Sequence, residues 1–151
     1  MSVAEAKAYM EAYFSTFPGV RAYMTNVVER AKETGYVETI FHRRRDLPEL
    51  KSSKFNLRSF GERVALNMPI QGTAADVMKL AMVAVWRRLK EEGLQARLVL
   101  QVHDELIVEC PKQEADHVAK LLTEEMEQVV QLSIPLVAEA HCGCNWLEAK
   151  G

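Results

Sequence analysis

The chain has 151 residues, 48% apolar and 26% charged with a net charge of −2, a composition that suits one globular domain and excludes a disordered or fibrous protein. No run approaches the ~18 apolar residues of a membrane span, and the start of the chain, through Lys7 to Tyr9, lacks the basic and apolar segments of a signal peptide, so a soluble, cytoplasmic protein is expected. Three cysteines, Cys110, Cys142 and Cys144, are too few and too oddly numbered for a disulfide framework.

Apolar and alanine positions over 3–16 predict a helix, punctuated by Phe17-Pro18-Gly19. Pro18 is placed to start a second helix reaching residue 33, and Gly35 to end it. Residues 36–40 alternate β-formers with polar residues and predict a short strand. The stretch 42–56, with Arg43-Arg44-Arg45, Pro48 and Ser52-Ser53, reads as a basic loop or irregular hairpin. A long helix follows over 57–92, closed by Gly93. Between Ala74 and Trp86 it is apolar almost all round, which predicts burial on most sides, and Pro69 predicts a kink or break near 67–71. Residues 98–102 and 106–109 predict an antiparallel hairpin around His103-Asp104-Glu105, 112–130 an amphipathic helix, and 135–140 a last strand. This order predicts an α+β fold, an antiparallel sheet with helices on one face.

Charge is unevenly spread. Residues 43–63 hold seven basic and three acidic residues, a balance of +4, whereas 91–139 hold eleven acidic and three basic, a balance of −8. Such a division can present a basic face to phosphates, and it also describes two merely solvated surfaces.

Two constellations can carry chemistry. Adjacent Asp104 and Glu105, held between apolar strands, can offer hard oxygen ligands to a divalent cation; a polar hairpin tip is the plainer alternative. Successive strand residues face opposite ways, so the two carboxylates should be unequal partners. Arg63, Asn67 and Gln71, spaced i, i+4, i+8, form a slowly drifting stripe along ~12 Å of helix. All three donate hydrogen bonds, and a minor groove offers acceptors at every base pair, so the stripe suits sequence-tolerant duplex contact; a solvated helix face, or polar groups satisfying a kink at Pro69, is the plainer alternative. His141, Cys142 and Cys144 lack structural-zinc spacing, and His42 beside three arginines reads as a surface residue.

The strings Glu62-Arg63-Val64-Ala65-Leu66-Asn67-Met68-Pro69-Ile70-Gln71-Gly72-Thr73-Ala74-Ala75-Asp76 and Gln101-Val102-His103-Asp104-Glu105-Leu106 resemble the palm helix and motif C of bacterial DNA polymerase I, a family A DNA polymerase. Phe17-Pro18-Gly19-Val20, Gly35-Tyr36-Val37-Glu38-Thr39, the triple arginine and Asn145-Trp146 extend the resemblance over essentially the whole chain. Two departures stand out: His42 where many members have glycine, and His141-Cys142-Gly143 where Gly-x-Gly is common.

The resemblance implies a partial polymerase palm: the end of the fingers with its basic loop over 1–56 and the C-terminal palm over 57–151. It implies template-directed nucleotidyl transfer in DNA replication and repair, with primer–template DNA and deoxynucleoside triphosphates as partners and two Mg²⁺ ions as cofactors. Asp104 would be a catalytic metal ligand and Glu105 its auxiliary. Arg63, Asn67, Gln71 and His103 would line the minor groove, and Arg58 and Lys54, with the three arginines, would meet phosphates. The family's D-Y-S-x-I-E-x-R motif A and its fingers motif B do not occur in this sequence, so the isolated chain is expected to be inactive without the upstream polymerase segments. A non-catalytic duplex-binding module and one subunit of a split polymerase are the alternatives.

Overall fold

The computed structural model describes residues 2–150. They form five α-helices and two separate two-stranded antiparallel sheets, a mixed, mostly helical α+β fold. The chain divides into two compact units, Met1–Thr73 and Ala74–Gly151.

In the first unit, α1 (Val3–Thr16) begins with a capping box: the Ser2 hydroxyl accepts the Glu5 N–H, and the Glu5 carboxylate accepts the Ser2 N–H at 2.6 Å. α1 buries no residue. Pro18 opens α2 (Pro18–Thr34) at its first turn, and Gly35 ends it in the left-handed conformation at φ 84°, its N–H bonded to the Ala31 carbonyl. Both helices lie as expected.

β1 (Tyr36–Glu38) pairs with β2 (Arg44–Asp46) in the register Tyr36↔Asp46, Val37↔Arg45, Glu38↔Arg44. The triple arginine therefore belongs to a hairpin. β1 stops two residues earlier than expected, because Thr39 turns its hydroxyl to the loop it closes. That oxygen accepts the N–H groups of Phe41 and Arg43 at 3.2 Å, while the Thr39 N–H reaches the Arg43 carbonyl. Val37, Leu47, Leu50, Ala31 and Ala65 form the core of this unit, with Val27, Val28, Val64 and Met68 around them. A fully buried aliphatic side chain such as Leu47 stabilises by roughly 1.5–3 kcal/mol.

α3 (Phe55–Glu91) is continuous for 37 residues. The break expected at Pro69 does not occur. The ring leaves the Ala65 carbonyl without its helical donor, yet packing of Ala65 and Met68 into the core carries the helix through. The Thr73 hydroxyl donates to the Pro69 carbonyl at 2.5 Å and accepts the Ile40 N–H at 3.2 Å, tying the hairpin loop to this turn. Gly72 allows that approach: a Cβ there would stand 2.8 Å from the Thr39 methyl.

In the second unit, Val85 and Leu89 of α3 pack with Ala96, Val118 and Leu121. The expected burial of residues 74–86 on most sides is corrected: Met78, Ala81 and Val85 are buried, but Leu80, Val83 and Trp86 are 43–49% exposed. Helix α4 and the hairpin cover only the side facing Val85 and Leu89, and Lys90 lies over the Trp86 ring at 4.2 Å.

β3 (Arg97–Val102) and β4 (Glu105–Glu109) form the second hairpin, with a register shift between Leu98 and Leu100. After a short 3-10 turn, α4 (Ala115–Gln128) lays Val118 and Leu121 against Leu106 and Val108. The strand expected over 135–140 is absent from the ladders. Pro135 has no N–H, and the Ala138 N–H donates to Glu127 Oε1 at 3.0 Å instead of to a neighbouring strand. α5 (Trp146–Lys150), which no sequence pattern announced, starts where Asn145 and Glu148 cap each other. Among the described residues, no helix is long and apolar enough to cross a membrane.

Candidate nucleic-acid interface and carboxylate hairpin

The stripe lies entirely in the first unit. Arg63, Asn67 and Gln71 are all exposed, so none serves the core or repairs the proline turn. They line a hollow of about 460 Å³ with Arg45, Phe60, Val64, Met68 and Gly72. Helical periodicity brings the three to one face, and Arg63 donates to the Ser59 hydroxyl at 3.1 Å. The hollow holds two guanidinium groups and no carboxylate. Glu62, next in sequence, is turned away to Lys32 at 2.6 Å.

Arg58 and Lys54 do not join this hollow. Arg58 is half-buried, donates to the Ser52 carbonyl at 3.2 Å and lies over the Phe55 ring. Lys54 is exposed at the turn preceding α3.

In the second unit, Val102 and Glu105 close the β3–β4 ladder, leaving His103 and Asp104 as a two-residue loop. Glu105 is thus a strand residue, and the carboxylates differ as strand geometry requires. His103 sits at φ 52°, the sign that the first position of a II′ hairpin turn demands and that glycine usually supplies. Its carbonyl accepts the Gln101 side-chain amide at 2.6 Å. Asp104 is exposed, whereas Glu105 Oε1 lies 3.7 Å from Lys150 Nζ of α5. Lys150 is the neighbour that sequence reasoning missed. It lies 45 residues downstream, and nothing in the local pattern links it to the hairpin.

Two adjacent carboxylates supply the hard oxygen donors that Mg²⁺ prefers. They do not complete a site. No group of three His, Cys, Asp or Glu side chains among the described residues could hold a metal ion, and one of the two carboxylates already faces an ammonium. A two-ion centre needs carboxylates bridging ions ~3.5–4 Å apart, and these two carboxylates by themselves do not make one.

Both departures from the resembling pattern have a backbone meaning. His42 takes φ 61°, a conformation glycine adopts without strain. At the C-terminal departure the retained glycine is the one that must be small, since a Cβ on Gly143 would stand 2.6 Å from the Ala149 nitrogen.

Elsewhere in the second unit, Arg88 bonds Glu92, Glu125 and Glu124, and His117 meets Glu92. Hydrogen bonding from Arg88, then from His117, holds the Glu92 carboxyl below its usual range. The Cys144 N–H and then the Asn145 side chain do the same for Glu148. Burial pushes the Cys110 thiol up.

Two small antiparallel sheets, a long helix with an exposed polar stripe, and a carboxylate-tipped hairpin make up this mixed, mostly helical α+β chain. The description "DNA polymerase family A" matches residues 1–148, and the chain belongs to that family. It is 56% identical to DNA polymerase I of Bacillus caldotenax over 146 residues, and 50% identical to that of Streptococcus pneumoniae serotype 4. Each match covers 97% of this chain and 17% of the relative, so the chain spans about a sixth of those proteins. A solved structure described as the POL domain of Pol1 from M. smegmatis, in complex with DNA primer-template and dNTP, superposes with a TM-score of 0.97 at 44% identity. That match covers 100% of this chain and 27% of the other.

Proposed function

We propose that this chain is part of a template-directed DNA polymerase, with residues 1–56 the end of the fingers and 57–151 the C-terminal palm. The observation that carries the reading is the likeness, over its full length, to a polymerase domain bound to primer–template and nucleotide. Arg63, Asn67, Gln71 and His103 contact the minor groove, and Arg58 and Lys54 meet phosphates at its margin. Minor-groove acceptors are shared by all base pairs, so these contacts test duplex shape and not sequence. Asp104 would hold Mg²⁺, with Glu105 as auxiliary or orienting group, and the remaining carboxylate would come from a segment carrying motif A. Bound there, the metal supplies charge stabilisation for the oxygens exchanging phosphate. The chain alone, lacking the motif A and motif B patterns, does not extend primers. The parent's work is DNA replication and repair in the cytoplasm.

Primer extension tests this. Purified chain with primed template, nucleotides and Mg²⁺ gives no extension, and adding upstream polymerase segments restores synthesis only where Asp104 is intact. Extension by the chain alone that disappears in Asp104→Ala would overturn the inactivity. Synthesis that survives Asp104→Ala after complementation would overturn the role of Asp104. The exposed, acid-free stripe also favours a second reading, a duplex-binding module without catalysis. Salt-sensitive duplex binding with no restoration by any upstream segment would select it.

A further inference from the structure

The C-terminal helix α5 reaches one of the two hairpin carboxylates and not the other. Its start is fixed from both sides. Asn145 Oδ1 accepts the Glu148 N–H at 3.0 Å, while the Glu148 carboxylate accepts the Asn145 side-chain amide at 2.8 Å and the Cys144 N–H at 2.9 Å. Gly143 lets the preceding loop close onto α5, since a Cβ there would stand 2.6 Å from the Ala149 nitrogen and 2.7 Å from the Glu148 Cβ. Trp146 and Lys150 then fall four residues apart on one face, with the Lys150 ammonium 5.9 Å from the indole centroid. The side chain aligned in this way ends 3.7 Å from Glu105 Oε1.

Asp104 is placed differently. Its carboxylate is exposed and makes no hydrogen bond or ion pair among the described residues. Glu105, paired with Val102, leaves the ladder in a direction set by the pleat, whereas Asp104 leaves from the two-residue loop. The Lys150 and Glu105 side chains are 60% and 43% exposed, and an ion pair so open to water adds little to stability. Its effect is on direction and charge. The ammonium engages a Glu105 oxygen on the α5 side, and its positive charge opposes a divalent cation arriving at that carboxylate.

We propose that Lys150 is a positioning residue that holds Glu105 toward α5, leaving Asp104 as the carboxylate that ligates a divalent cation and Glu105 as the orienting group beside it. The assignment rests on the polymerase reading above, in which both carboxylates stand at the metal, and it decides between the two roles left to Glu105 there. Without the ammonium, two adjacent acids compete for one hard cation and nothing on this chain singles out Asp104.

The test is a Mg²⁺ titration of the 151-residue chain at low salt, followed by NMR through the side-chain carboxyl carbon resonances of Asp104 and Glu105. In the parent chain Mg²⁺ should shift the Asp104 resonance at concentrations that leave the Glu105 resonance in place. In Lys150→Gln and Lys150→Ala the two should shift together, and the half-saturating Mg²⁺ concentration should fall about threefold. Lys150→Arg keeps the charge and should behave as the parent, and added salt should shrink the difference between parent and neutral variants. Circular dichroism verifies that each variant is folded. A merely structural role of Lys150 would move amide resonances around α5 without changing the order in which the two carboxylates respond. If both carboxylates respond equally in the parent, or the neutral variants titrate as the parent does, the role of Lys150 is wrong and the metal reading of the hairpin stands. If neither carboxylate responds to Mg²⁺ in any of these chains, the metal reading falls and the role of Lys150 falls with it.

Discussion

The two hairpins of this chain carry opposite charges on similar parts. Each is a short antiparallel pair, and each places a histidine at positive φ in its loop, His42 at 61° and His103 at 52°. The first presents arginines and is anchored from behind: Thr39 closes its five-residue loop, Thr73 holds the Ile40 N–H, and Gly72 admits the Thr39 methyl. The second presents carboxylates on a loop of two residues, held by its ladder and by the Gln101 amide. The difference teaches where order is needed. The arginine hairpin is docked on α3 through its loop. The Asp104 carboxylate stands exposed at the tip of a ladder.

The largest expected effect separates the hairpins by chemistry. In a polymerase restored with upstream segments, Asp104→Asn should cut the single-turnover extension rate on the order of 10³-fold, about 4 kcal/mol of transition-state stabilisation. Arg45→Ala there should act on DNA affinity and leave the rate at saturating DNA near its parent value. Equal rate losses in both variants would dissolve the distinction.

Anchoring comes next. Gly72→Ala pushes a Cβ to 2.8 Å from a buried side chain, and should lower unfolding stability in urea by about 1–3 kcal/mol. Thr39→Val keeps the shape but orphans the N–H groups of Phe41 and Arg43, with a cost of similar size. A loss below about 0.5 kcal/mol in both would show that the loop does not depend on this anchor.

Acid stability probes the second unit. The Glu92 carboxyl is depressed on folding, chiefly by Arg88, so its contribution is present above the unfolded carboxyl pKa and is lost as pH falls through the depressed folded value. Arg88→Ala should remove part of the stability lost on acidification below about pH 4.5, the ordinary glutamate value, and change little in the dependence near neutrality. Identical acid branches of the thermal melting curve in parent and variant would exclude this linkage.

The smallest effects concern the two histidines. His42→Gly relieves left-handed strain at the cost of a 3.6 Å contact with Glu38, and should raise stability by roughly 0.5–1 kcal/mol. His103→Gly should gain a similar amount in the same measurement while weakening duplex binding, which His42→Gly should not. Parallel behaviour of the pair in both assays would erase the functional contrast between the loops.

Much was legible in sequence. Pro18, Gly35 and Gly93 announce helix ends through local backbone chemistry, and the i, i+4, i+8 spacing places Arg63, Asn67 and Gln71 on one face of any helix that forms there. The motif strings also carried the family, which the match over residues 1–148 establishes. Other features depend on partners distant in the chain. Apolar character all round residues 74–86 cannot say which side finds neighbours, and only packing with Ala96, Val118 and Leu121 decided that Val85 lies inside and Trp86 outside. The β-like stretch 135–140 found a Glu127 carboxylate and no ladder, since a strand exists only when another strand pairs with it. Lys150 reached Glu105 because α5 folds back onto the hairpin, and the register of β1 with β2 decided which arginine enters the hollow. Local signals specify the conformation of a segment; which side chain faces a distant one is set by pairing and packing, and that was settled only in three dimensions.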